Sequence, residues 1–62
     1  MTYLIIENKN TKKRKFFTTR QQTIEWIKRE NHDVPTRVIN SWRVENIINE
    51  YIKDWFVVIR NE

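Results

Sequence analysis

Cationic side chains are concentrated in one short stretch near the start of this 62-residue sequence. Lys12, Lys13, Arg14 and Lys15 are consecutive, and Lys9 lies just before them. Such a cluster can neutralise several phosphates of a nucleic acid and release the counterions condensed on them. Similar runs also occur on solvated loops, where they only keep a strand edge soluble. The basic run therefore predicts a contact surface for an anionic partner, with a solvated loop as the alternative.

The positive charge is unevenly spread along the chain, whose formal net charge is +4. Residues 1–31 contain eight basic and three acidic residues, a net charge of +5, whereas residues 32–62 contain four and five, a net charge of −1. The basic half is therefore the half expected to bind DNA or RNA. The predicted nucleic-acid-binding residues are Lys9, Lys12, Lys13, Arg14, Lys15, Arg20, Lys28 and Arg29.

The residue sets used for catalysis and for cofactor binding are missing from the sequence. It has no cysteine, no glycine and a single histidine, His32. One imidazole without a second ligand does not make a metal site, and no paired nucleophile and base accompanies it. Glycine-rich phosphate loops are excluded as well. We therefore expect a binding module that is not an enzyme and holds neither metal nor cofactor.

The basic run lies between two segments that favour strands. Residues 3–6 form an apolar run, and residues 15–18 contain Phe16 and Phe17. Two such runs joined by an Asn-rich polar segment predict a β-hairpin with the cations at its tip. Because side chains alternate along a strand, one phenylalanine should face the core and the other the opposite side. The outward ring could stack on a base, or simply cover sheet surface.

Two helices and a third strand are predicted after the hairpin. Thr18 or Thr19 can cap a helix that runs from about residue 20 to 31, and Pro35 follows its end. Residues 36–42 fit an extended link, a helical turn or a short strand, and we expect Trp42 to lie in the core. Residues 44–54 predict the second helix, and residues 55–59 a buried strand. The apolar stripe of that helix is Val44, Ile47, Ile48, Tyr51, Ile52 and Trp55.

The element order predicts a single α+β domain over residues 1–62, with the arrangement ββααβ. We expect a three-stranded sheet in the order 2-1-3, covered on one face by two helices. The first strand is apolar on both faces, which suits the centre, and the basic second strand suits an edge. Two helices would return the chain to the end where it began, so the third strand should run parallel to the first. The alternative is ββαββ, with a strand over residues 38–47.

Partners other than nucleic acid are also open at this point. No apolar run approaches the roughly 20 residues of a membrane span, so we expect a cytoplasmic protein without membrane contact. The many Asn, Ile and Lys residues fit an AT-rich genome, such as that of a phage or mobile element. The alternative function is therefore to bind and inhibit or modulate a host protein, through the basic hairpin or the acidic face of the second helix. A homodimer, formed through the uncovered sheet face or a free edge, is a further expectation.

Overall fold

The computed structural model describes residues 2–61. Within this range the chain forms a small α+β domain in which three helices cover one face of a three-stranded antiparallel sheet. The strands are β1 (Leu4–Asn8), β2 (Arg14–Phe17) and β3 (Trp55–Arg60), and the helices are α1 (Arg20–Glu30), α2 (Thr36–Ser41) and α3 (Val44–Tyr51).

The strand order is β2-β1-β3, which confirms the predicted order and the central place of β1. In β1, Leu4 lies opposite Phe17 and Ile6 lies opposite Lys15. Leu4 and Ile6 have no exposed surface, because they point to the face that the helices cover. Ile5 alternates with them and points to the other face. The apolar character of both faces of β1 was therefore a sound reason to place it in the middle.

The predicted direction of β3 was wrong. Asn8 lies opposite Trp55 and Leu4 lies opposite Arg60, so β3 runs antiparallel to β1, with an irregularity in register between Ile5 and Ile6. The error follows from the number of helices. Two helices return the chain to its starting end, but three leave it at the opposite end, and β3 must then run back.

The third helix is α2, which occupies the segment whose conformation the sequence left open. α1 and α3 end side by side, since the Asn31 side chain donates a hydrogen bond to the Tyr51 carbonyl at 3.2 Å. α2 ends where α1 begins, since the Arg20 guanidinium donates to the Ile39 carbonyl at 2.7 Å. The chain therefore crosses the sheet three times between β2 and β3. Of the three conformations left open, the helical turn is correct, and the alternative ββαββ arrangement is not observed.

The core is formed by all three helices against the inner sheet face, and α2 contributes Val38 and Ile39. In α3, Val44, Ile47 and Ile48 are fully buried, which confirms the first half of the predicted stripe, whereas its last two members, Ile52 and Trp55, lie beyond the helix. The helix ends at Tyr51, three residues before the predicted end, and Ile52 caps it with φ at −116° and ψ at 78°, which is neither helical nor extended. Trp55 consequently belongs to β3 and not to the helix.

Trp26 of α1 packs against both edge strands of the sheet, β2 and β3. Its ring packs edge-on against Trp55 with centroids 5.5 Å apart, and tilted against Phe17 at 5.7 Å. Edge-to-face contacts of this kind add to the free energy gained from burying the rings. The start of α1 is capped as predicted, because the Thr19 hydroxyl accepts a hydrogen bond from the Gln22 backbone at 3.2 Å.

The prediction that Trp42 lies in the core was wrong. Trp42 is 39% exposed and contacts Tyr51 at a centroid distance of 5.9 Å. α2 is only six residues long, and Val38 and Ile39 already supply its buried side. The indole therefore lies on the surface, over the outer side of α3. Along the described part of the chain, no helix is both long and apolar enough to cross a bilayer.

Candidate nucleic-acid interface

The turn between β1 and β2 is ordered by an asparagine in place of a glycine. The Asn8 side-chain oxygen accepts hydrogen bonds from the backbone N–H groups of Asn10 at 2.8 Å and Thr11 at 3.0 Å. The Asn8 carbonyl accepts from the Lys12 N–H at 3.0 Å, and the Asn8 N–H donates to the Lys13 carbonyl at 2.8 Å. Asparagine side chains commonly close turns in this way. The lysines are thus carried by a fixed backbone.

Lys12 has a left-handed backbone conformation, with φ at 64°, and no other described residue has a positive φ. For an ordinary L-amino acid this region costs about 1–2 kcal/mol, and asparagine occupies it more readily than lysine does. A lysine at this position therefore lowers the stability of the turn relative to an asparagine.

The turn is also attached to the rest of the domain. The Lys9 backbone N–H donates a hydrogen bond of 2.7 Å to the Asp54 carbonyl, in the connection between α3 and β3. This bond uses the main chain only and leaves the Lys9 side chain in solvent. The turn is consequently held both by its own hydrogen bonds and by the end of the helical layer.

Four cations of the basic run are exposed and outside any ion pair within residues 2–61. We call them the turn lysines: Lys9, Lys12, Lys13 and Lys15. Arg14 differs from them, because its Nε atom lies 3.0 Å from a Glu7 carboxylate oxygen. The two residues are directly opposite each other on β1 and β2 and point to the outer face. Glu7 therefore neutralises part of the positive charge that the sequence places in this region.

Lys28 and Arg29, in the last turn of α1, lie at the same end of the domain as the turn. α1 ends beside α3, and the connection that follows α3 is hydrogen-bonded to the turn. Both side chains are exposed, and neither forms an ion pair with the described residues. The two cations therefore share an end of the domain with the turn lysines, and Lys28 also lines a groove between α1 and α2.

Arg20 lies at the other end of α1, about 15 Å away along an 11-residue helix. Its guanidinium donates to the carbonyls of Ile39 at 2.7 Å and Trp42 at 3.3 Å. These carbonyls belong to the end of α2, where helical carbonyls have no partner inside the helix. Arg20 is therefore occupied in joining α1 to α2 and lies at the end of the domain away from the turn, although it lines one groove together with Lys28.

The sheet face opposite the helices is open and apolar. Phe17 is buried and Phe16 is 63% exposed, which confirms that the two rings point to opposite faces. Ile5 and Ile59 continue the row of Phe16 across the sheet, and Ile59 is 45% exposed. The alternation in β1 predicted that Ile5 would face outward, but the partner of Ile5 on β3 could not be named without the register.

Groups that could hold a metal ion are absent from the described residues, since no three His, Cys, Asp or Glu side chains come together there. His32 is exposed, just beyond the end of α1. Next to it, the Asp33 backbone N–H donates a hydrogen bond of 2.9 Å to the Asn31 side-chain oxygen.

No protein-family model, no curated protein and no solved structure matches this chain. The protein can accordingly be described only through its own residues. It is a small α+β domain with one sheet face under three helices, an apolar outer face, and a basic turn at one end.

Proposed function

We propose that the protein is a cytoplasmic, non-enzymatic module that binds DNA or RNA through the turn between β1 and β2. The observation that carries this proposal is the set of four turn lysines, which are exposed and outside any ion pair in the described chain. Lysine is a compact charge on a flexible stem, which suits contacts to phosphates more than the reading of base edges. The binding should therefore depend strongly on charge and weakly on sequence.

The backbone of the turn supports the same proposal. Lys12 adopts a conformation in which asparagine would be more stable. Positions at which a residue is held in an unfavourable conformation occur preferentially at functional sites. The hydrogen bonds of Asn8 fix the turn before any partner arrives, so little conformational entropy should be lost on binding.

The contributions of the remaining predicted cations differ. Lys28 and Arg29 extend the surface at the same end of the domain. Arg14 makes a weaker contribution, because Glu7 already neutralises it. Arg20 serves the fold, because its guanidinium is bonded to the end of α2. The proposed surface consists of the turn lysines with Lys28 and Arg29.

Charge reversal at the turn tests the proposal. Lys13→Glu should weaken binding by about tenfold or more at low salt, because one phosphate contact is replaced by repulsion. Arg43→Glu is the matched control, since Arg43 is exposed at the opposite end of the domain, between α2 and α3, and the change in net charge is the same. Affinity is measured by fluorescence anisotropy with labelled DNA and RNA. No binding by the wild-type protein, or equal losses in both variants, would refute the proposal.

A second candidate function is the binding of a protein partner, and Trp42 favours it. The exposed indole borders a groove of about 460 Å³ on α3, lined by Ser41, Trp42, Arg43, Asn46, Asn49 and Glu50. Tryptophan and arginine are enriched among the residues that dominate protein interfaces. The partner would be a host protein if the chain belongs to a phage or mobile element.

A pull-down from bacterial lysate, with and without nuclease, separates the two functions. A protein retained after nuclease treatment and lost with Trp42→Ala supports a protein partner. If retention disappears with nuclease and with Lys13→Glu, but not with Trp42→Ala, the protein was captured through nucleic acid and the second function is refuted.

A further inference from the structure

The outer face of β2 carries an exposed aromatic ring next to a cation. Phe16 and Arg14 are two residues apart on this strand, so both point outward with about 7 Å between them along it. Phe16 is 63% exposed, and Lys13 and Lys12 follow directly beyond Arg14, whereas Lys15 points to the other face of the sheet. We infer that the nucleic acid bound by this protein is single-stranded and that one unpaired base stacks on Phe16. This inference rests on the proposed function.

The ring has the surroundings that stacking needs. Phe16 lies on an edge strand, with a neighbour on one side only, so a base can approach it from the open edge as well as from above. Ile5, directly opposite on β1, continues the apolar surface under the base, whereas Ile59 lies one strand further, about 10 Å from the ring and beyond the stacked base. The nucleic-acid backbone that continues from this base passes the turn, where the positive charges of Lys12 and Lys13 are complementary to its phosphates.

A duplex fits this face poorly. Bases in a duplex are already stacked on both sides, so their faces are not available to an aromatic ring. Reading a duplex through a groove requires polar side chains that hydrogen-bond to base edges. The row formed by Phe16, Ile5 and Ile59 offers none. An unpaired base can stack on the Phe16 ring, and such stacking does not depend on which base it is.

The test compares single strands with duplex in variants of Phe16. The probes are labelled oligothymidine, labelled oligouridine and a labelled DNA duplex, each of about 20 nucleotides or base pairs, which exceeds the roughly 4–16 nucleotides that a small single-strand-binding fold covers. Phe16→Leu keeps an apolar side chain but removes the ring. Phe16→Trp restores a ring, and Ile59→Ala is the control for apolar area on the same face.

Phe16→Leu should weaken single-strand binding by roughly 5- to 100-fold, the loss typical of one base stack, and leave duplex binding unchanged. Phe16→Trp should bind as tightly as the wild type. When the oligonucleotide is added, the tryptophan fluorescence of this variant should be quenched more than that of the wild type. Ile59→Ala should bind like the wild type. A loss confined to oligothymidine or to oligouridine supports the inference and identifies the strand as DNA or RNA.

The outcomes that overturn the inference are distinct from those that overturn the proposed function. If the wild type binds no probe, both are refuted. If Lys13→Glu weakens binding while Phe16→Leu does not, the basic turn binds nucleic acid and the stacking inference alone is refuted. If sedimentation shows a dimer that Phe16→Leu dissociates without changing strand binding, a second copy occupies the face and the inference is refuted. Should Phe16→Leu fail to fold by circular dichroism, the quenching of Phe16→Trp decides, and its absence refutes stacking.

Discussion

The turn lysines should set the salt dependence of binding, and the expected size follows from the structure. The slope of log affinity against log salt is about −0.9 for each phosphate neutralised on a duplex and about −0.7 on a single strand. Contacts from the four turn lysines alone contribute about −3.6 or about −2.8 to the slope, and contacts from Lys28 and Arg29 make it steeper. Between about 50 mM and about 200 mM salt, the affinity should therefore fall at least about 150-fold on a duplex or about 50-fold on a single strand.

Single substitutions assign the slope to particular side chains. Lys13→Gln should make the slope shallower by about 0.7 to 0.9, because one phosphate contact is lost. Arg14→Gln removes the same formal charge, but should change the slope much less, since the guanidinium lies 3.0 Å from the Glu7 carboxylate. The assay is a series of anisotropy titrations at increasing salt, with each variant confirmed as folded.

The result that would refute this reasoning is equality between the two variants. Equal changes in slope for Lys13→Gln and Arg14→Gln would mean that pairing with Glu7 does not decide which cations reach phosphate. A wild-type slope near zero would exclude the turn as a phosphate-binding surface altogether.

Three further predictions, which use five substitutions, are tested by chemical denaturation. Arg20→Ala should lower the free energy of unfolding by about 1–2 kcal/mol, because its hydrogen bonds to α2 are lost, and it should leave the salt slope of binding unchanged. Lys28→Ala should make the salt slope shallower and leave the free energy of unfolding unchanged. Trp26→Ala should cost about 3–5 kcal/mol and unfold much of a domain this small, while Trp42→Ala, at an exposed site, should cost far less. Lys12→Asn should raise the free energy of unfolding by up to about 1 kcal/mol and weaken nucleic-acid binding. An unchanged stability in Arg20→Ala, an equal cost at the two tryptophans, or a loss of stability in Lys12→Asn would contradict the respective prediction.

The parts of the fold that could be predicted are those with a long or two-sided apolar pattern. Val44, Ile47 and Ile48 repeat at helical spacing, and no strand reproduces that spacing. Leu4 and Ile6 alternate with an apolar Ile5, so both faces of β1 are apolar, which favours a central strand with a neighbouring strand on each side. These patterns belong to single elements and do not depend on how the elements are arranged.

The direction of β3 depended on a helix too short to show a pattern. α2 has six residues, of which Val38 and Ile39 are buried neighbours, and such a pair is equally compatible with a strand. Without α2 the number of crossings was wrong, and so was the direction of β3. Trp42 was misplaced for the same reason, since its position is set by the end of α2.

The candidate site was predicted as a set of cations but not as an arrangement of them. The separation of Arg20 from the turn depends on a contact with Ile39, 19 residues away, which no local pattern encodes. The pairing of Arg14 with Glu7 follows from the hairpin register, which the length of the loop left undetermined. Sequence therefore identified where the charge lies, and tertiary contacts decide which charges remain available.

Lys12 connects the stability of the turn to its proposed role. Asn8 already closes the turn with two side-chain hydrogen bonds, so joining β1 to β2 does not require a lysine at the left-handed position. A cost of about 1 kcal/mol is large for a domain whose total stability is small. A charge kept at that cost should bring a benefit outside folding. The opposite effects expected of Lys12→Asn on stability and on binding follow directly, because the conformational strain and the phosphate contact belong to the same residue.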